Sequence, residues 1–243
     1  MAEYLTRSQK LHENLGRIIS ETEPGDRLLT EPELARQLGV SRATLREAMR
    51  TFETQGLIRR RQGSGTYVVR MPSVIESGLE VLESIETLAT RIGMKVTMGE
   101  LKVENRTATD EEAQALQLEP GSRIMHVSRV ILAEDRAAAY LIDLLPEGVL
   151  STADVEAGFN GSVLDLLLNR GDIHLGTSRT EINAVTASSD VARSLGIQRG
   201  DVMLRFVAYL YSNSGRILDY SFSYFIPGYF RFHVVRRVNT NNL

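Results

Sequence analysis

Between two short amphipathic stretches lies the tetrapeptide Leu38-Gly39-Val40-Ser41, and this turn constrains the fold more than any other part of the chain. Leu34, Ala35 and Leu38 recur at the three-and-four spacing that puts side chains on one face of a helix, and Leu45, Ala48, Met49 and Phe52 repeat the pattern after the turn. Gly39 can take the left-handed conformation that ends a helix, and the Ser41 hydroxyl can accept from the unpaired N–H groups that begin the next. So short a connection makes the two helices cross instead of running on, which is helix-turn-helix geometry. Upstream, Thr30 and Glu33 have the spacing of a capping box, and Pro32 falls in the first turn, where a missing N–H costs little.

The outward side of the second helix points to a partner. Arg42, Thr44 and Arg46 lie away from the Leu45, Ala48, Met49 stripe on the first two turns, the part of a recognition helix that reaches base edges. An Arg fork donates two parallel hydrogen bonds to guanine O6 and N7 in the major groove. Gly56-Leu57-Ile58 then leads through Arg59-Arg60-Arg61-Gln62 and Gly63-Ser64-Gly65 to Thr66-Tyr67-Val68-Val69, which reads as two strands around a Gly-rich tip, a wing. Its arginines suit phosphates, and its glycines allow close backbone approach to a groove. An Arg-rich amphipathic helix is also compatible with a plain solvated surface. Here Arg36, Arg42, Arg46, Arg50, Arg59, Arg60 and Arg61 are offset by Glu47 and Glu53, although the chain carries a formal net charge of -3. A basic patch on an acidic protein is the footprint of a nucleic-acid reader.

With 243 residues, the chain fits a DNA-binding module of about 70 residues and a larger second module. The boundary is expected at Arg70-Met71-Pro72-Ser73, giving a first domain over residues 1–70, a linker over 71–79 and a second domain over 80–243. Leu79, Leu82, Ile85, Leu88, Ala89 and Ile92 predict a joining helix over 78–92, stopped by Gly93. No apolar run is long enough to cross a bilayer, and Met1-Ala2-Glu3-Tyr4 opens no secretory signal, so a cytoplasmic protein without a membrane partner is expected. Cysteine is absent, and His12, His126, His174 and His233 are dispersed without ligand spacing. They read as structural or surface residues; no metal and no cofactor is expected.

The second module repeats itself. Ala108-Thr109-Asp110, Ala113, Leu116, Leu118, Gly121, Ile124, Met125 and Val127 recur at one constant offset as Ala187-Ser188-Ser189, Ala192, Leu195, Ile197, Gly200, Met203, Leu204 and Phe206. Each copy reads as a capped short helix, a Gly turn, a strand, a polar turn (Glu134-Asp135-Arg136; Asn213-Ser214-Gly215) and a second strand. Two such units suggest a pseudo-symmetric antiparallel sheet with helices on one side, an α+β domain behind the winged helix-turn-helix.

The residues now carry a resemblance. Pro24-Gly25-Asp26-Arg27-Leu28 with Thr30-Glu31, Gly39-Val40-Ser41-Arg42-Ala43-Thr44-Leu45-Arg46-Glu47-Ala48, Gly56-Leu57-Ile58 and Gln62-Gly63-Ser64-Gly65-Thr66 resemble the N-terminal domain of GntR-superfamily repressors. The resemblance implies DNA contacts from Thr30, Ser41, Arg42, Thr44 and Arg46 and, at the wing tip, from Gln62, Gly63 and Ser64. Some members use an Arg on the preceding helix, where this chain has Pro32. Leu195-Gly196-Ile197 with Gly200-Asp201, Gly161-Ser162 before Leu164, Asp219-Tyr220-Ser221-Phe222-Ser223-Tyr224 and Phe230-Arg231-Phe232 resemble the UTRA domain of HutC-like members, whose fold is similar to chorismate lyase.

In that domain a small effector sits between the repeats. The resemblance implies effector contacts from Ser84, Thr87, Arg129, Asp143, Ser162, Asp219, Ser221 and Tyr224, with Arg129 opposite an anionic group of the ligand. Arg129 can equally pair with Asp143 on a neighbouring strand, and Tyr224 can be core packing. Asp219 follows the apolar pair Ile217-Leu218, where a carboxylate needs a partner. Ile131, Leu164 and Phe225-Ile226-Pro227 stand where sugar-phosphate binders carry Arg, Tyr and Tyr-Arg-Gly, so the pocket suits a phosphosugar less.

The function implied is a homodimeric, effector-responsive repressor on a near-palindromic operator in double-stranded DNA. An enzyme of the lyase-like fold is the alternative from another class. The chain shows no Ser/His/Asp arrangement, no carboxylate pair at helical spacing and no phosphate loop. A DNA-binding protein without an effector is the third.

Overall fold

The structure is a computed structural model that describes residues 7–54, 56–61, 63–69 and 74–235. It divides into two compact units, Met1–Pro72 and Ser73–Leu243.

The first described element is a helix not expected from the sequence, α1 (Arg7–Glu21), followed by α2 (Glu31–Leu38) and α3 (Arg42–Thr54). Leu11, Leu15 and Ile19 recur one turn apart along α1 and are buried with Leu34, Leu45, Met49 and Phe52, so the helix supplies a third wall of the core. Burying each of these large side chains contributes roughly 1.5–3 kcal/mol. Gly39 closes α2 in the left-handed region at φ 64°, with its N–H directed at Ala35 and Arg36 carbonyls, as the turn requires. Glu33 accepts from the Thr30 N–H at 3.0 Å, the reciprocal half of a capping box. At the next helix start, Thr44 N–H donates to Ser41 Oγ at 3.1 Å. The wing is β1 (Ile58–Arg61) antiparallel to β2 (Gly65–Val68). Leu28 N–H donates to the Thr66 carbonyl and Val68 N–H to the Asp26 carbonyl, so the stretch before α2 lines the wing's other edge.

The second unit is built on a six-stranded antiparallel sheet. Chain order gives β3 (Ile75–Gly78), α4 (Ile85–Arg91), β4 (Val96–Thr107), α5 (Asp110–Leu116), β5 (Arg123–Ala133), β6 (Arg136–Pro146), α6 (Thr152–Glu156), α7 (Val163–Asn169), β7 (Leu175–Thr186), α8 (Ser189–Leu195), β8 (Val202–Ser212), β9 (Ile217–Phe225) and β10 (Phe230–His233). The sheet runs β4-β5-β6-β9-β8-β7, so the two repeats meet at β6 and β9, around a pseudo-twofold axis. Each repeat also contains a long strand ahead of its helix, β4 and β7, which extends the repeated unit beyond the helix and hairpin read from the sequence.

Side chains alternate across the sheet. On one face Ile124, Leu144 and Ile217 pack with α5, and Val130 and Tyr224 pack with α8. The helices of the repeats therefore share one side, as expected. The opposite face carries Met125, Val127 and Leu145 and is covered by α7, so the sheet has helices on both sides.

Two readings of the connection are corrected. The predicted helix over 78–92 is a helix only from Ile85 to Arg91. Its apolar spacing was misleading, because residues 75–78 form β3 in parallel pairing with β10, and Leu79 N–H donates to the His233 carbonyl. For the same reason the stretch 75–78, expected within the linker, belongs to the second unit.

Candidate DNA face and effector cavity

The DNA face is assembled from the start of α3 and the wing. Leu45, Ala48 and Met49 are buried, which turns Arg42, Thr44 and Arg46 outward. Arg46 remains 54% exposed, while its Nε donates to Glu31 Oε2 at 2.6 Å. Arg60 Nε lies 3.8 Å from the other oxygen of the same carboxylate. Glu31, which the sequence reading did not single out, thus links the recognition helix to the first strand of the wing through a single, mostly buried side chain. A carboxylate three positions before an apolar stripe carries no local signal for that role.

Of the remaining residues expected on this face, Ser41 caps α3 and sits 2.7 Å from Thr44 Oγ1, so both hydroxyls begin with a local partner. The Thr30 hydroxyl is likewise held by Glu33, at 2.5 Å. Gly63 and Ser64 form the exposed wing tip, with Ser64 Oγ 2.7 Å from Tyr67 OH and the Arg61 guanidinium stacked 5.0 Å above the Tyr67 ring. Gln62 lies outside the described residues. Gly65 has φ 121°, a backbone conformation that L side chains rarely adopt, so glycine is favoured there; the Arg27 side chain that a Cβ would meet at 2.5 Å is free to shift.

The second unit holds a cavity of about 620 Å³ over the α7 side of the sheet. Ser84, Arg129, Asp143, Ser162, Asp219 and Ser221 all line it. They come from a helix start, three strands and a second helix start, and the sheet register brings them together. Val127 faces Asp143 across β5 and β6, and Asp143 faces Ser221 across β6 and β9, which places Arg129, Asp143 and Ser221 on one face. Asp219 follows on that face because it lies two residues before Ser221.

Two expected residues fall elsewhere. Tyr224 is on the opposite face, paired with Tyr140, the two rings stacked 6.4 Å apart; it lies three residues from Ser221, and an odd step along a strand changes face. Thr87 is exposed and does not line the cavity; its N–H donates to Ser84 Oγ at 3.1 Å as part of the α4 cap.

Arg129 is 4% exposed. Its Nη1 forms an ion pair with Asp143 Oδ2, and its Nε donates to the Gly161 carbonyl at 2.6 Å. The cross-strand pairing of Arg129 with Asp143 is therefore present, and the guanidinium is already held at Nη1 and Nε. Asp219 is 5% exposed. Burial raises its carboxyl well above the usual carboxylate range, and the adjacent Asp143 carboxylate pushes it further the same way. Glu86, unread in the sequence, reaches the same cavity, and its carboxyl is also raised by burial. Glu86 Oε1 and Asp219 Oδ1 are buried acceptors without a hydrogen-bond partner.

The rest of the lining is mixed, with the hydroxyls of Ser77, Thr177, Ser178, Thr180 and Ser223 beside an apolar wall. Phe206, Phe225, Phe230 and Phe232 line the cavity, with Phe225 4.8–5.0 Å from each of the other three ring centroids. Ile131 and Phe225, which stand where related pockets carry polar residues, share one apolar cluster, and of the replacements Phe225 and Leu164 line the cavity. Among the described residues no cluster of His, Cys, Asp and Glu could hold a metal ion, and no helix is long and apolar enough to cross a membrane.

Known proteins align with both units. Residues 9–68 match the family of bacterial regulatory proteins called gntR, and residues 91–231 match the UTRA domain. The chain is 27% identical to the transcriptional repressor NagR of Bacillus subtilis, over 83% of this chain and 82% of that protein. It is 26% identical to the mannosyl-D-glycerate transport/metabolism system repressor MngR of Escherichia coli, over 96% and 95% respectively. The crystal structure of PhnF from Mycobacterium smegmatis shares the fold with a TM-score of 0.61 at 21% identity, covering 94% of this chain and all of that one.

Proposed function

Since the chain belongs to the GntR family of bacterial regulatory proteins, as a ligand-responsive transcriptional repressor whose second domain is of the HutC-like UTRA kind, we propose that two copies of it read a short near-palindromic operator. The relatives that align with nearly the whole chain are regulators, which removes the enzyme alternative.

The observation that carries the reading is the display of Arg42 and Arg46 on the outer side of a capped, well-buried helix, beside the basic strand Arg59-Arg60-Arg61. One such helix reads only a few base pairs, so specificity needs two half-sites, whose spacing the symmetry of a homodimer sets. In this reading Arg42 and Arg46 contact bases, Ser41, Thr44 and Thr30 contact the backbone, and Gln62, Gly63 and Ser64 reach the groove from the wing. Ser84, Arg129, Asp143, Ser162, Asp219 and Ser221 surround a small effector, whose binding favours a dimer that no longer matches the operator spacing. The protein then works in the cytoplasm.

A gel shift with the promoter fragments nearest its own coding region tests this. Specific retention is expected, and Arg42→Ala costs ~1–3 kcal/mol per half-site. Unchanged binding by Arg42→Ala, or no retained fragment, overturns the proposal.

A further inference from the structure

The charge of the cavity is lopsided. Glu86, Asp143 and Asp219 line its interior, and Arg129 is its one cationic side chain among the described residues. Arg129 is paired with Asp143 and the Gly161 carbonyl, and among the described residues no second cationic side chain lines the cavity to pair with Asp219 or Glu86. An entering anion would meet three carboxyl groups and an Arg whose removal from Asp143 strands a buried charge.

Two further observations describe a ligand. Asp219 Oδ1 and Glu86 Oε1 are buried acceptors that lack a donor, and a buried acceptor without a donor is costly. The same cavity holds a wall of four phenylalanines, which gives an apolar body a surface to lie on beside the hydroxyls of Ser178, Thr180 and Ser223. Val81 and Leu82 at the rim are 66% and 50% exposed, which extends the apolar lining outward.

We propose that the effector of this cavity carries a protonated nitrogen that seats against the Asp219 carboxyl, with an apolar body about the size of one or two rings lying on the phenylalanine wall. The nitrogen supplies donors to Asp219 and Glu86 and, once seated, favours release of the carboxyl proton that burial holds; the ring meets Phe206 and Phe225 edge to face or offset. The inference rests on the reading of this cavity as the effector site, and it fixes the charge of what enters.

The test uses the full chain and three matched probe series: phenylalkylamines of one to four methylenes, and the phenylalkanols and phenylalkanoates of the same lengths. Binding is measured by calorimetry and by the rise in melting temperature. At least one amine should bind about tenfold or more tightly than its alcohol and its carboxylate counterpart, the margin of a charge-assisted contact. Asp219→Asn should erase that preference while keeping the melting transition, and Glu86→Gln should reduce it. A carboxylate that binds best, an amine preference that survives Asp219→Asn, or no binding by any amine overturns the inference. Operator retention by the same preparations separates the two readings: retained DNA without amine selectivity sinks only this inference, and amine selectivity without retained DNA sinks only the proposed function.

Discussion

The Ser84 hydroxyl donates to Asp165 Oδ2 at 2.8 Å, joining the starts of two short helices that lie 81 residues apart in the chain. Ser84 caps α4, Asp165 sits in the first turn of α7, and its N–H is held by Ser162 Oγ at 2.9 Å. Both caps border the cavity of the second unit, so a single buried contact fixes part of its outline.

Ser84→Ala removes the α4 cap and leaves Asp165 without this donor. The second unit is expected to lose ~1–2 kcal/mol, the worth of a cap with a charge-assisted hydrogen bond. Urea denaturation of the variant measures this; a midpoint equal to that of the unmodified protein contradicts it.

Glu31→Gln is expected to release Arg46 and Arg60 from their shared carboxylate. With a counter-charge gone beside the DNA face, non-specific binding should rise and its salt dependence steepen. Specific binding should fall relative to it, because Arg46 loses the partner that orients it. Retention of operator and random-sequence fragments across a salt series distinguishes these effects, and an unchanged ratio rejects the positioning role.

Asp219→Asn is expected to stabilise the ligand-free protein near neutral pH. In the unfolded chain the carboxyl ionises near pH ~4, whereas burial in the native protein holds its proton to higher pH. Over that window the unfolded state binds fewer protons, so native stability falls as pH rises. Asn does not titrate and escapes the loss. Urea midpoints should coincide for the two proteins in acid and diverge in favour of the variant above pH ~5; divergence in the opposite direction refutes the assignment.

Glu112→Gln should show the reverse trend. Arg106 donates two hydrogen bonds to Glu112, at 2.7 and 2.6 Å, and these hold its carboxyl down to about 2. The stabilisation is fully present above the unfolded carboxylate range and is lost as pH falls through the folded value. The variant should be less stable at neutral pH by up to ~1 kcal/mol, since the pair is partly solvated, and the gap should close in acid. A gap that widens as pH falls would exclude this pairing as its source.

Much of the first unit was legible because its signals are local. Gly39, Ser41 and the Thr30–Glu33 spacing each fix a helix end through atoms within four residues. The one helix left unread, α1, carried the same kind of signal in Leu11, Leu15 and Ile19. In the second unit the repeat gave the hairpins and the symmetry, and strand alternation alone already separates Tyr224 from Asp219 and Ser221. The pairing of β3 with β10 was not legible, since it is parallel, short and closes across most of the domain. Helical spacing over 78–92 therefore read as one helix where the chain makes a strand, a turn and a shorter helix.

By itself the amino-acid sequence determined the ends of the two helices that flank the Gly39 turn, which side of the recognition helix is basic, and that the second domain is a doubled unit, because caps, glycines and periodicity act over a few residues. Only the tertiary structure decided how Arg129 is used, that Glu86 joins the cavity and that Glu31 bridges Arg46 and Arg60. A charge's partner depends on strand register and helix placement, which sum contacts over the whole domain, and no short stretch of sequence encodes that sum.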